Sequence, residues 1–445
     1  MSAIAATDAL LITGRLLDFT DIATDGDAGA HVRYVEAGAI LVQGGRIVSA
    51  GERTAIEAQA PAGVPVHDYG DHLILPGYID THLHYPQTQV IASYGAQLLE
   101  WLERFTFVEE QRFADPAHCV RIADFFLDEL LRNGTTTAAV YCTIHPGSVD
   151  ALFEAAQARG MAMIAGKVMM DRGAPSGLLD SAERGFTDSK ALIARWHGKD
   201  RLNYAVTPRF ALTSSEAQLD AAGQLLIEHG DVYLQTHLAE NTDEIAAVRK
   251  LFPKAQSYTD VYDRHGLLGP RSIFGHCIHL GEDECHRLHE SDSVAAFCPT
   301  SNLFIGSGLM DLARLQHKAR PIRVSLATDI GGGTSYSMLR TAAEAYKVLQ
   351  LQGQNLPGLE ALCMMTLGNA KALGLENEIG SLNPGCYADL VVIDSAATPA
   401  MAHRRERIAD LADEVFLLTT LGDDRCTVAT YVAGERRFER EAASG

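Results

Sequence analysis

A chain of 445 residues, 47% of them hydrophobic and with a mean hydropathy of −0.01, has ample material for a large buried core. It carries 37 Lys and Arg against 57 Asp and Glu, a formal net charge of −20. That balance excludes nucleic-acid backbones and anionic membrane surfaces as natural partners, and no apolar run is long enough to span a bilayer. Residues 1–21 lack a basic stretch ahead of their apolar part, so no secretory signal is expected. The eight cysteines, Cys119, Cys142, Cys277, Cys285, Cys298, Cys363, Cys386 and Cys426, include no C-x-x-C pair. Scattered thiols of this kind point to a reduced, cytoplasmic protein.

The chain opens with short β-rich pieces at 9–16, 33–50 and 65–74, with Gly44-Gly45 placed as a hairpin turn. Residues 73–84 form the next apolar strand, which ends in His82-Leu83-His84. After a long connection, Asp115-Pro116 supplies an N-cap and an N1 proline for a helix. Val120, Ala123, Leu127, Leu130 and Leu131 are expected as its apolar stripe, and Asn133-Gly134 closes it. Strands follow at 135–142, 161–169, 203–208, 232–237, 272–276, 293–298 and 323–328, with helices between most of them, for example 214–229 and 243–251. With 73–84 in front, the strands number eight. That alternation predicts an α/β fold built on a (β/α)8 TIM barrel. A doubly wound open sheet is the alternative, but its Gly-rich turn is missing after the first strand. The final stretch returns to β structure at 389–394, 427–432 and 436–438. The expected division is 1–74 and 376–445 as two parts of a small β-sandwich domain, with the barrel at 75–375.

A barrel places its chemistry at the C-terminal ends of its strands. The first strand ends in His82 and His84. Residues two apart on a strand share a side, so these imidazoles form a pair suited to a zinc-like ion. Asp80, one step earlier on that face, is expected to accept the other N–H of a ligand imidazole. The fourth strand ends in Thr207-Pro208-Arg209-Phe210, the fifth in His237-Leu238-Ala239-Glu240, the sixth in Gly275-His276-Cys277, and the eighth in Thr328-Asp329. Titratable side chains therefore recur where this fold builds active sites.

Pro76-Gly77-Tyr78-Ile79-Asp80-Thr81-His82-Leu83-His84, followed in order by His237, His276 and Asp329, resembles the signature of the amidohydrolase superfamily. Longer stretches are similar to its guanine-deaminating branch: His84-Tyr85-Pro86-Gln87, Leu98-Leu99-Glu100-Trp101-Leu102, Thr207-Pro208-Arg209-Phe210, His237-Leu238-Ala239-Glu240-Asn241, Cys298-Pro299-Thr300-Ser301-Asn302 and Thr328-Asp329-Ile330-Gly331-Gly332-Gly333. Binuclear members of the superfamily bridge their ions with a lysine on the fourth strand. None lies in 203–209, and Lys167, one strand early, is expected to be structural. The expectation is therefore one ion held by His82, His84, His237 and Asp329. The resemblance implies zinc, with iron(II) or manganese compatible with the same ligands.

The activity this implies is hydrolytic removal of guanine's 2-amino group, giving xanthine and ammonia, with guanine and water as the partners. Glu240 would protonate the ring, Asp329 would take the water's proton, and His276 would orient the attacking oxygen. Glu240 as a helix cap and His276 as a buried structural residue are the competing readings. Arg209 and Gln87 match the O6 edge of guanine, unless Arg209 is a surface ion-pair partner. Phe210 and Trp101 would stack on the purine or belong to the core. His84, His237, Glu240 and Asp329 are also expected to contact the substrate. Residues 85–113 are placed as a lid, and Gly331–Gly333 as backbone room beside Asp329. The resemblance also implies a homodimer. An adenosine-like, cytosine or triazine hydrolase, and a metal-free scaffold, are the alternatives. The cytidine-type deaminases are excluded, since H-x-E and P-C-x-x-C are absent.

Overall fold

The computed structural model describes residues 9–22, 28–95 and 97–441. Sixteen strands are described, in two sheets. The terminal sheet contains β1 (Ala9–Phe19), β2 (Val32–Gln43), β3 (Arg46–Glu52), β4 (Val66–Pro76), β14 (Leu390–Ile393), β15 (Thr427–Val432) and β16 (Glu435–Glu439). Their spatial order is β16-β15-β14-β4-β1-β2-β3. Only the β1–β4 pair is parallel. Both ends of the chain thus meet in one layer, and this layer forms the small terminal unit anticipated as a sandwich. Ile12, Ile40, Val42, Ile74, Leu390 and Val392 form one cluster on it. Leu17, Phe19, Leu73, Leu75, Val391 and Ile393 instead join the main core.

The second sheet is the barrel: β5 (Tyr78–His84), β6 (Thr135–Tyr141), β7 (Ala162–Gly166), β9 (Leu202–Pro208), β10 (Tyr233–Leu238), β11 (Ser272–His276), β12 (Val294–Phe297) and β13 (Arg323–Leu326) are parallel neighbours in that order, and the two-residue β8 (Val168–Met169) pairs with β9. Closure between the first and last strands is made by Thr81 Oγ1 to Ser325 Oγ at 2.8 Å and by Asp329 N donating to the His82 carbonyl at 2.9 Å. The interior is filled by Ile79, Ala139, Ile164, Ala205, Tyr233, Ile273, Val294 and Ala327, a residue from each strand or its end. Alternate residues such as Val140, Met163, Tyr204, Leu234 and Phe274 face the surrounding helices, as a period of two requires.

Three expectations need correction. The strand placed at 73–84 is two strands. It breaks at Gly77, where an added Cβ would lie 2.3 Å from Thr136 Oγ1, so β4 serves the terminal sheet and β5 the barrel. In the helix Pro116–Arg132, Val120 is 49% exposed. The buried stripe starts instead from Cys119 and Ile122 and runs through Phe126 and Leu127 to Leu130. Asp80 reaches no imidazole. It accepts from the Thr328 backbone N–H at 3.1 Å and from the Thr328 hydroxyl, tying β5 to the end of β13.

Candidate metal and substrate site

A bulge in β5 aims the two histidines. Ile79 and Asp80 pair with Thr137 and Ala138, and the next partners are Leu83 and Val140. Thr81 and His82 therefore oppose the single residue Ala139. Such a bulge re-aims side chains. Ile79 points into the barrel while Leu83, four residues on, points out to the helices, so the parity has flipped and His82 and His84 turn inward. Gly275 makes room for them: a Cβ there would meet His82 Cε1 at 2.5 Å.

The other strand ends reach the same place by left-handed backbone. Ala239 (φ 51°), His276 (φ 70°), Cys277 (φ 54°) and Asp329 (φ 52°) are all non-glycine. Such conformations cost about 1–3 kcal/mol each and collect at functional sites. Beside Ala239, the helix Thr242–Leu251 begins with a capping box at Asn241, and Glu244 accepts from the backbone N–H of Glu240 at 3.0 Å. At the end of β13, Gly331 and Gly333 allow the chain to turn tightly, for added Cβ atoms would meet the Gln87 and Thr328 carbonyls at 2.5 and 1.8 Å.

The structure brings His82, His84, His237, His276, Asp329 and Glu240 together. Nε2 of His84 faces Nε2 of His237 at 3.2 Å. Asp329 Oδ1 lies 3.5 Å from Nε2 of both His82 and His84. Ring nitrogens of His82, His237 and His276 sit within 4.8 Å of one another. Burial, followed by the neighbouring imidazoles and Arg209, holds His82 and His84 well below the usual imidazole pKa, and His237 is held down in the same way. His237 Nδ1 donates to the Arg209 carbonyl at 2.7 Å, which leaves Nε2 as a bare lone pair. Neither nitrogen of His82, nor Nδ1 of His84, has a hydrogen-bond partner. Buried imidazoles with idle lone pairs converging on a carboxylate fit a divalent ion.

Glu240 is buried and its Oε2 lies 3.3 Å from His276 Nε2. Burial pushes its carboxyl up to about 7, against the opposing effects of the Ser307 hydrogen bond and Arg209. Asp329 is likewise raised by burial to about 7, with His276 opposing. His276 is oriented by Asn302, whose Oδ1 lies 2.8 Å from Nδ1. Glu240 is therefore no helix cap, since Asn241 caps the helix, and it faces the site.

His84, His237, Glu240, His276 and Asp329 line one pocket. Gln87 and Arg209, both only 2% exposed, join its lining, and Phe210, Trp101, Leu98, Leu102 and Ile305 give it an apolar wall. Trp101 is part of an apolar cluster and donates its indole N–H to the Ser93 carbonyl at 3.1 Å, so it is both wall and core. Arg209 is no surface residue. Nη1 pairs with Glu110 at 2.8 Å, and Glu110 is fully buried. Residues 85–113 supply much of this wall. Lys167 points away from the site and is buried against Asp180.

Sequence reasoning missed four neighbours of the site. Tyr141, at the end of β6, stacks on His84 with ring centres 4.4 Å apart. Cys298 shares a cluster with His82 and Asp329, and burial keeps its thiol well above the usual pKa. Ser307 donates to Glu240 at 2.8 Å. Glu110 holds Arg209 and Gln87. Strand-end position could have pointed to Tyr141, and the Cys298-Pro299 motif to Cys298. No local signal marks Ser307 or Glu110.

Known proteins share this architecture. The sequence model described as Amidohydrolase family matches residues 73–437. The guanine deaminase of Escherichia coli (strain K12) is 48% identical over 430 residues, covering 96% of this chain and 98% of that one. A probable guanine deaminase of Deinococcus radiodurans is 43% identical over 408 residues, covering 89% and 92%. Among solved structures, the E. coli guanine deaminase superposes with a TM-score of 0.95 over 97% of this chain and 100% of that one. A guanine deaminase from C. acetobutylicum with bound guanine in its active site gives 0.86 at 28% identity, over 97% and 100%.

Proposed function

The chain belongs to the amidohydrolase family, and from that premise we infer that it hydrolyses guanine to xanthine and ammonia, acting on a C–N bond of a cyclic amidine. The observation that carries this reading is the joining of two chemistries in one pocket. A hydrogen-bonding pair, Arg209 and Gln87, lines the same pocket as a reacting group, Glu240 with the histidine–aspartate cluster.

His82, His84, His237 and Asp329 would hold the ion, which we propose is zinc, with iron(II) or manganese as alternatives. When bound, it would supply ionised water near neutral pH by lowering the pKa of that water to about 7. Arg209 and Gln87 orient the O6 edge of guanine. Arginine's donors suit O6 and would repel the amine that adenine carries there. Phe210 and Trp101 close over the ring face. Asp329 accepts a proton from the attacking water, and Glu240, poised near neutrality, delivers one to ring N3 as C2 becomes tetrahedral. His276, held by Asn302, orients the attacking oxygen. The proton that Asp329 took then passes to the departing 2-amino group, while Glu240, now a carboxylate, takes the proton of the new C2 hydroxyl, so that C2 becomes a carbonyl, the C–N bond breaks, ammonia leaves and both acids return to their starting states. Water exclusion by residues 85–113 strengthens each of these interactions.

We also propose a cytoplasmic homodimer that serves purine breakdown, and a division into residues 75–375 as barrel with 1–74 and 376–445 as the terminal unit. Eight buried free thiols support the compartment. The dimer rests on the family resemblance. No helix among the described residues is long and apolar enough to cross a membrane. An ammonia-release assay over guanine, adenosine, cytosine and a triazine tests the substrate. Guanine should exceed the others by ~10²-fold or more in kcat/KM. Comparable rates on adenosine would overturn the assignment of Arg209 and Gln87.

A further inference from the structure

Glu110 is fully buried, does not line the pocket, and takes no part in the chemistry described. Its carboxylate nevertheless engages both residues that read the substrate. Arg209 Nη1 donates to Oε1 and Oε2 at 2.8 and 2.9 Å. Gln87 Nε2 donates to Oε1 at 3.1 Å. The Gln87 side-chain oxygen Oε1 accepts in turn from the Gly331 N–H at 3.3 Å. These side chains come from three places: the turn Tyr85–Val90, the end of β9, and the short helix Phe107–Glu110. The same helix sets the Phe107 ring 5.6 Å from the Arg209 guanidinium carbon. Arg209 is thus gripped at Nη1 and over its face. Its Nε and Nη2 make no hydrogen bond among the described residues and remain for a ligand.

We propose that Glu110 is a positioning residue for guanine recognition: it sets the angle of the Arg209 fork, fixes which way the Gln87 amide faces, and cancels the charge of Arg209. This rests on the reading of Arg209 and Gln87 as the O6-reading edge. Two consequences separate it from a plain packing role. An arginine with a fixed fork loses less of its binding energy to ordering itself. A neutral Arg209–Glu110 pair offers donors without net charge, which suits neutral guanine and gives no extra hold on a ring that has lost a proton. Xanthine, with one more acidic lactam than guanine, is such a ring at mildly alkaline pH. The pair therefore favours substrate over anionic product.

The test uses metal-loaded full-length protein, with guanine hydrolysis and xanthine inhibition measured at mildly alkaline pH for wild type, Glu110→Gln, Arg209→Gln and the double variant. Glu110→Gln should raise KM for guanine about tenfold, change kcat less than ~3-fold, and tighten xanthine inhibition relative to guanine binding. In the Arg209→Gln background the Glu110→Gln change should alter KM less than ~3-fold, since only its hold on Gln87 remains. An unchanged KM in Glu110→Gln, additive losses in the double variant, or xanthine weakened in step with guanine would each overturn the proposal. If Glu110→Gln is not recovered folded, the double variant against Arg209→Gln alone decides: a KM within ~3-fold supports the proposal and a loss of ~10-fold overturns it. If Arg209→Gln itself leaves guanine KM unchanged, the reading of Arg209 falls and the inference with it. A normal loss in Arg209→Gln beside an unaffected Glu110→Gln sinks the inference alone.

Discussion

In the terminal unit, every buried acid among the described residues has its partner. Asp18 accepts from Arg33 Nε and the Leu382 N–H, both at 2.7 Å. Asp389 accepts from Arg201 Nη1 at 3.0 Å and the Ala433 N–H at 2.8 Å. Glu414 accepts from Arg15 at 2.9 Å and Ser395 at 2.6 Å. At the barrel mouth, His82 and His84 are as deeply buried, yet three of their four ring nitrogens have no partner. Both regions bury polar groups, but the three acids of the first are paired within the chain. The second leaves lone pairs idle and strand ends in left-handed backbone. The difference teaches that the buried acids of the terminal unit are satisfied within the chain, while the mouth presents converging lone pairs arranged to take a ligand.

Four experiments break or sharpen this contrast. Substituting His82→Ala should abolish metal retention and lower guanine turnover by more than ~10³-fold, read by elemental analysis beside ammonia release. Chelation of wild type should do the same, and added zinc should restore the rate. A His82→Ala protein with normal metal content would break the comparison at its centre. Glu240→Gln should keep the metal and lower kcat by ~10²–10⁴, for it removes the proton donor without touching the ion's ligands. Asp389→Asn, in the paired region, should leave kcat/KM near wild type. It should cost about 3–5 kcal/mol of stability, because Arg201 is left buried with half a partner. Urea unfolding monitored by circular dichroism would report this as a lower midpoint at constant slope.

The smallest effect concerns pH. Burial raises the Glu414 carboxyl, but hydrogen bonds from Arg15 and Ser395 outweigh it and hold the group below its ordinary value. A depressed folded-state pKa contributes stability that is present above the unfolded value, about 4.3, and is lost as pH falls through the folded value. Wild type should therefore exceed Glu414→Gln by ~1.5 kcal/mol near neutrality. That advantage should shrink progressively below about pH 5, as thermal melts at a series of pH values would reveal. A gap independent of pH would mean that Glu414 acts through packing and not through its charge.

The barrel and its strand-end residues were legible in the sequence because each is written locally: an apolar strand, then a polar residue at its tip. His82, His84, His237, His276 and Asp329 all follow that pattern. What stayed hidden depends on contacts between distant segments. Glu110 meets Arg209 across 99 positions, and Asp80 meets Thr328 across 248. Nothing near Asp80 says that its partner is a backbone N–H on the last strand and not an imidazole. The break at Gly77 is invisible for the same reason, since the steric demand comes from Thr136 on a neighbouring strand. The bulge at Thr81-His82 is subtler. A strict period of two would already have put the histidines on one face, but not on the face that Ile79 occupies.

The most direct test is diffraction from crystals of zinc-loaded protein soaked with xanthine, collected on both sides of the zinc absorption edge. A single anomalous peak bounded by His82, His84, His237 and Asp329, with the purine O6 against Arg209 and its N3 side toward Glu240, is the predicted result. An absent peak, or a peak elsewhere in the molecule, would contradict the account.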